Sequence, residues 1–167
     1  MPKSPVIRIE VKSVLRTSGG YAVFLGNDAK VFVIHIDHSV GVAITMALRE
    51  LPRPRPLTHD LIMHIFQATG IKLDRVVINN MEDGVFFARL LLSMENELYQ
   101  RKIMELDARP SDSIALAVQA RAPIFVSQNV WNGTEDMSEA LRKLEEEALS
   151  DGEDDSSESG SDFPDLK

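Results

Sequence analysis

The strongest constraint on this chain is a change in the period of its apolar residues, from two to between three and four, and back to two. Residues 6–14 alternate, with Ile7, Ile9 and Val11 set against Arg8, Glu10 and Lys12, the pattern of a strand with one wet face. Ser18-Gly19-Gly20 turns the chain into residues 21–25, and Gly26-Asn27-Asp28 turns it again into residues 30–36. The first third therefore reads as an antiparallel meander. Val40, Ala43, Ile44, Ala47, Leu48 and Leu51 then recur at helical spacing, a stripe that Asp37 or Ser39 can cap and Pro52 must end. Residues 52–56 alternate proline with Arg53 and Arg55 and stay extended, because each proline disfavours the helical region for its predecessor. A second helix is expected after Thr58 as N-cap, with Leu61, Ile62, Ile65 and Phe66 inward and Gly70 as its stop.

Period two then returns. Residues 73–81, 85–94 and 97–107 read as three strands, joined by Glu82-Asp83-Gly84 and a turn near Glu95-Asn96; Asp-Gly is a strong hairpin signal. Arg109-Pro110-Ser111-Asp112 opens a third helix carrying Ile114, Ala115, Val118 and Ala122, with proline early and acid at the positive end. Residues 123–126 form a short apolar strand, so the stretch from Leu98 to Val126 reads as a parallel crossover. A last helix is expected over about 136–149, capped by Thr134, with Met137, Leu141, Leu144 and Leu149 inward. The fold class is α+β: a compact single domain with a mixed, mainly antiparallel sheet, a central helix pair, and a helix after the Arg-Pro-Ser-Asp motif.

Composition says what holds such a domain together. A chain near this length buries roughly 68–70% of its unfolded surface, enough for a core without covalent staples. The absence of cysteine excludes disulfides, thiolate metal sites and a cysteine nucleophile. Residues 21–25 form an apolar run as long as any in the chain, far short of the roughly 20 residues a membrane helix needs. Met1-Pro2-Lys3-Ser4-Pro5 leads into a strand and not into an apolar leader, so a cytoplasmic protein with no membrane partner is expected. The net charge of −8 is uneven, since residues 151–167 hold seven acids against Lys167. A domain over 1–149, with its core at about 7–130, followed by an acidic disordered tail at 150–167, is the expected organisation.

No phosphate-binding glycine loop, serine elbow or paired-histidine helix motif occurs. His35, His38 and His64 read as ordinary edge or surface histidines. Two constellations stand out. Arg53-Pro54-Arg55-Pro56-Leu57-Thr58-His59-Asp60 puts a His–Asp pair on a first helical turn, behind a stiff arm bearing two arginines. Asp107-Ala108-Arg109-Pro110-Ser111-Asp112 lies where a strand runs into a helix N-terminus. Carboxylates that can hold Mg²⁺ or Mn²⁺, a cation for a phosphate and a histidine base are the mixture that metal-assisted phosphodiester hydrolysis requires. The same residues can be structural: Asp112 capping the helix, with Asp107 and Arg109 paired to hold the corner.

The stretches Arg55-Pro56-Leu57-Thr58-His59-Asp60-Leu61 and Asp107-Ala108-Arg109-Pro110-Ser111-Asp112-Ser113-Ile114-Ala115-Leu116-Ala117 resemble the bifunctional nuclease domain family. So do Val76-Val77-Ile78, Asp83-Gly84-Val85-Phe86-Phe87-Ala88 and Ala122-Pro123-Ile124-Phe125-Val126, in the same order, over roughly Ile7 to Val130. The resemblance implies a compact α+β fold and, from the plant members, DNase and RNase activity. Val33, Asp37 and Val40 stand where members tend to carry proline, glycine and glutamate. If that glutamate serves the chemistry, Asp37 is the nearest carboxylate able to replace it.

Two functions follow as expectations. The first is a metal-dependent nuclease acting on DNA or RNA, with Asp107 and Asp112 on Mg²⁺ or Mn²⁺, His59 or Asp60 as base or ligand, and Arg109 on phosphate. Arg53 and Arg55 would then contact phosphate or a partner. The second is a non-catalytic regulatory or protein-interaction module in which the arginine arm anchors a protein partner. A near-neutral body with an acidic tail lacks the basic face typical of nucleic-acid binders. A homo-oligomer fits both expectations, because edge strands are available for pairing.

Overall fold

The two period-two regions join into one sheet in the computed structural model, which describes residues 5–95, 98 and 100–151. Its strands are β1 (Val6–Thr17), β2 (Gly20–Gly26), β3 (Val31–Ile36), β4 (Ile71–Glu82), β5 (Val85–Glu95), β6 (Arg101–Ala108) and β7 (Ile124–Ser127). Its helices are α1 (His38–Leu48), α2 (Thr58–Thr69), α3 (Pro110–Ala120), α4 (Gln128–Gly133) and α5 (Ser138–Asp151). The strand order is β3-β2-β1-β7-β4-β5-β6. The class is α+β in a compact single domain, with the helix pair between the two meanders as expected. The expected tail lies outside the described residues from 152 onward, as does Asn96 of the second expected turn.

β7 joins the two meanders. It pairs antiparallel with β1 and parallel with β4, placing Ile124 beside Val76 and Val126 beside Ile78. The expected crossover is present: α3 carries the chain from β6 back over β5 and β4 into the middle of the sheet. The reason is burial. β7 is short and apolar up to Ser127 and has no wet face, with Ile124, Val126 and Ser127 all buried.

The sheet curls strongly enough that the rings of Phe32 on β3 and Phe86 on β5 stack with centroids 6.1 Å apart, and Trp131 of α4 meets Phe32 edge-on. α1 and α3 close the concave side over Val23, Leu25, Val76 and Ile78, and Ile114 of α3 is buried among them. Gly41 lets α1 approach β2, since a Cβ there would lie 2.2 Å from the Tyr21 ring. α5 and the residue before it cover the convex side at the other end, through Leu141 and Met137 against Ala22, Phe24 and Val31. No helix among the described residues is long and apolar enough to cross a membrane.

Several local expectations change. The N-cap of α2 is Leu57, with Thr58 already helical. Its inward face is His59, Ile62, Met63 and Phe66, whereas Leu61 and Ile65 point outward at 54% and 50% exposure. The helix is rotated because the His59 side chain is anchored on α3, and that choice is invisible to hydrophobic periodicity. α1 ends at Leu48, leaving Leu48 and Leu51 exposed. α4 was not expected; Ser127 caps it by accepting the Val130 N–H. Thr134 is therefore the end of α4, and Asp136 accepts the Ser138 N–H at the start of α5. Leu144 and Leu149 stay exposed, because α5 runs past the sheet that Leu141 covers.

Candidate active site at three helix N-termini

The starts of α1, α2 and α3 meet at one corner of the concave face. Asp37 follows β3 and caps α1, its carboxylate accepting the Val40 N–H (3.1 Å) and the Ser39 hydroxyl (2.6 Å). α3 begins after Arg109, with Pro110 in its first turn and Asp112 at its positive end. The first turn of α2 turns His59 inward. His59 Nε2 lies 3.0 Å from Asp112 Oδ1. Arg109 Nε donates to Asp112 Oδ2 at 2.8 Å, and its Nη2 reaches Oδ1 at 3.3 Å. Arg109 Nη1 also lies 3.8 Å from Asp37 Oδ2. A continuous chain, His59–Asp112–Arg109–Asp37, thus ties the three termini together.

Exposure rises from 9% for the His59 side chain to 29% for Asp112 and 66% for Arg109, with Asp37 at 48%. Burial pushes the Asp112 carboxyl up, but hydrogen bonds from Arg109 and His59 outweigh it and hold the group below the usual aspartate range. The Asp37 carboxyl is also held low, chiefly by the Ser39 hydroxyl and then the Val40 N–H. The Asp112 hydrogen bond raises the Arg109 guanidinium. An ionised Asp112 only accepts, so His59 Nε2 is the donor in the hydrogen bond between them.

The other expected site residues fall elsewhere. Asp107 stands opposite Arg89 in the β5–β6 register. Its neighbours Leu106 and Ala108 pair with the buried Leu90 and Ala88, so alternation turns Asp107 to the convex side, away from Asp112. Arg109 pairs with Asp112 and Asp37 where a bond to Asp107 was the structural alternative. Both Asp112 oxygens are already engaged, and no group of three or more acidic or histidine side chains among the described residues could hold a metal ion. Asp107 and Asp112, the two carboxylates expected to act together, are not brought together in this arrangement.

Asp60 faces away from His59. It accepts the Leu57 N–H at 2.7 Å and pairs with Arg53 at 2.5 Å, locking the first turn of α2. Leucine has no acceptor to return, so this is half of a capping box. Arg53 and Asp60 line a cleft of about 660 Å³ between α1, α2 and α3, together with Met46, Met63 and Gln119. Arg55 is exposed on the arm. Asp37 lies outside both motifs; the departure from the family's pattern at that position is the signal that points to it, and the structure brings it to the corner through Arg109.

The sequence profile of the bifunctional nuclease domain matches residues 23–138. The chain belongs to the bifunctional nuclease domain family. The matched segment contains Asp37, the His59 turn and the start of α3. Among the relatives of this family member are uncharacterized proteins from two strains of Mycobacterium tuberculosis, 36% identical over 104 residues, which is 62% of this chain and 58% of theirs. Bifunctional nuclease 1 of Oryza sativa subsp. japonica is 26% identical over 90 residues, 54% of this chain and 27% of the rice protein. The chain thus spans a little over half of the mycobacterial relatives it matches and about a quarter of the rice one.

Proposed function

We propose that this bifunctional nuclease domain cleaves nucleic-acid phosphodiester bonds at the His59–Asp112 corner. The observation that carries the reading is the 3.0 Å contact between His59 Nε2 and Asp112 Oδ1. A carboxylate on one ring nitrogen fixes the tautomer and stabilises the imidazolium that forms when the other nitrogen takes a proton. In this role His59 is the general base toward the attacking oxygen, and Asp112 orients it. Arg109, two-thirds exposed at the rim, supplies a cation for the phosphate, reinforced by the positive ends of α1 and α3. Family membership and the rice relative's name support the same chemistry.

The test is cleavage of single- and double-stranded DNA and RNA by salt-washed protein, with Mg²⁺, with Mn²⁺ and with EDTA. Asp112→Asn and His59→Gln variants, shown to be folded, run alongside. Cleavage lost in both variants supports the assignment, and the EDTA arm decides whether the expected metal is required. Equal cleavage by wild type and variants, or none under any condition, overturns it. Binding to nucleic acid should weaken steeply as salt rises, since phosphate contacts release counterions.

A further inference from the structure

The cleft between α1, α2 and α3 measures about 660 Å³, within the roughly 300–1,000 Å³ of small-molecule sites. Two buried donors on its lining residues, Arg53 Nε and Gln119 Nε2, have no hydrogen-bond partner among the described residues. Buried donors are almost always paired, and an unpaired one costs stability. A ligand with acceptors at the right places would pair both. The two atoms lie just under the cleft surface, and a small turn of either side chain presents them. Arg53 is held through Nη1 by Asp60, which leaves the Nε–Nη2 edge of its guanidinium to a ligand. Pro52 and Pro54 on either side of it stiffen the backbone that carries that edge.

We infer that this cleft takes a guanine base, presented by the strand whose phosphate lies at the His59–Asp112 corner. The strand rests on the nuclease reading above; the base rests on the cleft. A guanidinium edge pairs with the two acceptors O6 and N7 of guanine, whereas adenine sets a donor at the first of those positions. The charge of the cleft decides between a base and a phosphate. Its two arginines are each matched by a carboxylate, Arg53 by Asp60 and Arg121 by Glu50, so the lining offers donors without net positive charge. Met46 and Met63 supply the apolar part of the lining, and thioethers pack well against aromatic rings. The cleft also adjoins the corner. Asp60 follows His59 on the first turn of α2, and Gln119 lies on α3 after Asp112, about 10 Å along the helix.

The test is an NMR titration of the full chain with GMP, AMP and inorganic phosphate. GMP should saturate with a Kd of about 1 mM or below, shifting amides in the first turn of α2 and the second half of α3. AMP and phosphate should bind at least about tenfold more weakly. No saturation by GMP up to about 10 mM overturns the inference. So does equal binding of GMP and AMP, and so does phosphate binding as tightly as GMP, which would mark an anion site.

Two variants place the base. Arg53→Lys keeps the charge beside Asp60 and loses the planar edge, while Gln119→Leu keeps the volume and loses the donor. Each should weaken GMP about tenfold. Gln119→Leu keeps the test decisive if Arg53→Lys folds poorly, because it exchanges an unpartnered buried amide for an apolar group and should not lower the melting temperature. Unchanged GMP affinity in the folded Gln119→Leu variant overturns the assignment. Single-stranded oligothymidylate with and without one guanine then separates a base on a strand from a free nucleotide. The guanine should tighten binding about tenfold; equal affinity for the two strands overturns the placement on a strand. These experiments read binding and not cleavage, so their failure and the failure of the nuclease proposal are separate results.

Discussion

Replacing Asp112 with alanine separates the two carboxylates that sequence reasoning treats as a pair. In the structure Asp112 accepts from His59, whose side chain is 9% exposed, and from Arg109, which is 66% exposed. Losing it leaves a buried histidine N–H without an acceptor, which costs about 1–3 kcal/mol. Losing an acid from the first turn of α3 removes about 0.3–1 kcal/mol of favourable interaction with the helix N-terminus. The exposed Arg109 pair adds at most about 1 kcal/mol. The expected total is roughly 2–4 kcal/mol, or a fall in melting temperature of roughly 5–15 °C for a domain of this size. Asp107→Ala, on the exposed convex side, should stay within about 0.5 kcal/mol of wild type.

Urea and thermal unfolding followed by Trp131, the one tryptophan of the chain, measure both variants. Its ring packs edge-on against the buried Phe32, so its fluorescence reports the core. A double-mutant cycle with His59→Phe isolates the pair, and a coupling above about 1 kcal/mol is expected for groups in direct contact. Equal destabilisation by Asp112→Ala and Asp107→Ala, or a coupling near zero, would refute the reasoning that His59 is anchored through Asp112.

Because the Asp112 carboxyl is held below its ordinary value of 3.8, its contribution to stability is complete above that pH and disappears as pH falls through the lower folded value; Asp112→Asn should therefore flatten the acid limb of the stability curve. Asp60→Asn should cost about 1 kcal/mol, because it weakens the acceptor for the Leu57 N–H and leaves Arg53 partly buried without its counter-charge. Gly41→Ala should destabilise by at least about 1–3 kcal/mol as α1 is pushed off Tyr21, and hydrogen exchange should then rise in α1 before β4. A result within about 0.5 kcal/mol of wild type at Gly41 would mean that α1 shifts at no cost.

The fold was legible wherever local pattern and burial coincide. The alternation of Ile7, Ile9 and Val11, the Asp83-Gly84 turn and the stripe from Val40 to Ile44 each bury one face or turn the chain through chemistry confined to a few residues, and each stands where it was read. The rotation of α2 was not legible, because Leu61 and Ile65 are as apolar as Ile62 and Met63, and the choice is made by His59 reaching Asp112 on another helix. α4 was missed because six residues held by a Ser127 cap carry no full helical period. At the site, sequence separated residues that space joins and joined residues that space separates. His59 and Asp112 lie 53 positions apart yet touch, whereas Asp107 and Asp112 are near neighbours in the chain on opposite sides of the sheet.

What the sequence determined by itself is the order of the strands and of every helix except α4, the two polar corners and the family, since periodicity, turn chemistry and motif order are local properties of the chain. Only the tertiary structure decided that β7 enters the middle of the sheet, that Asp37 joins Asp112 through Arg109, and that Asp60 serves Arg53 and not the corner. Those outcomes depend on which buried faces meet and which donors find acceptors across helices. Such pairings are set by the packing of distant segments, and no window of sequence contains them.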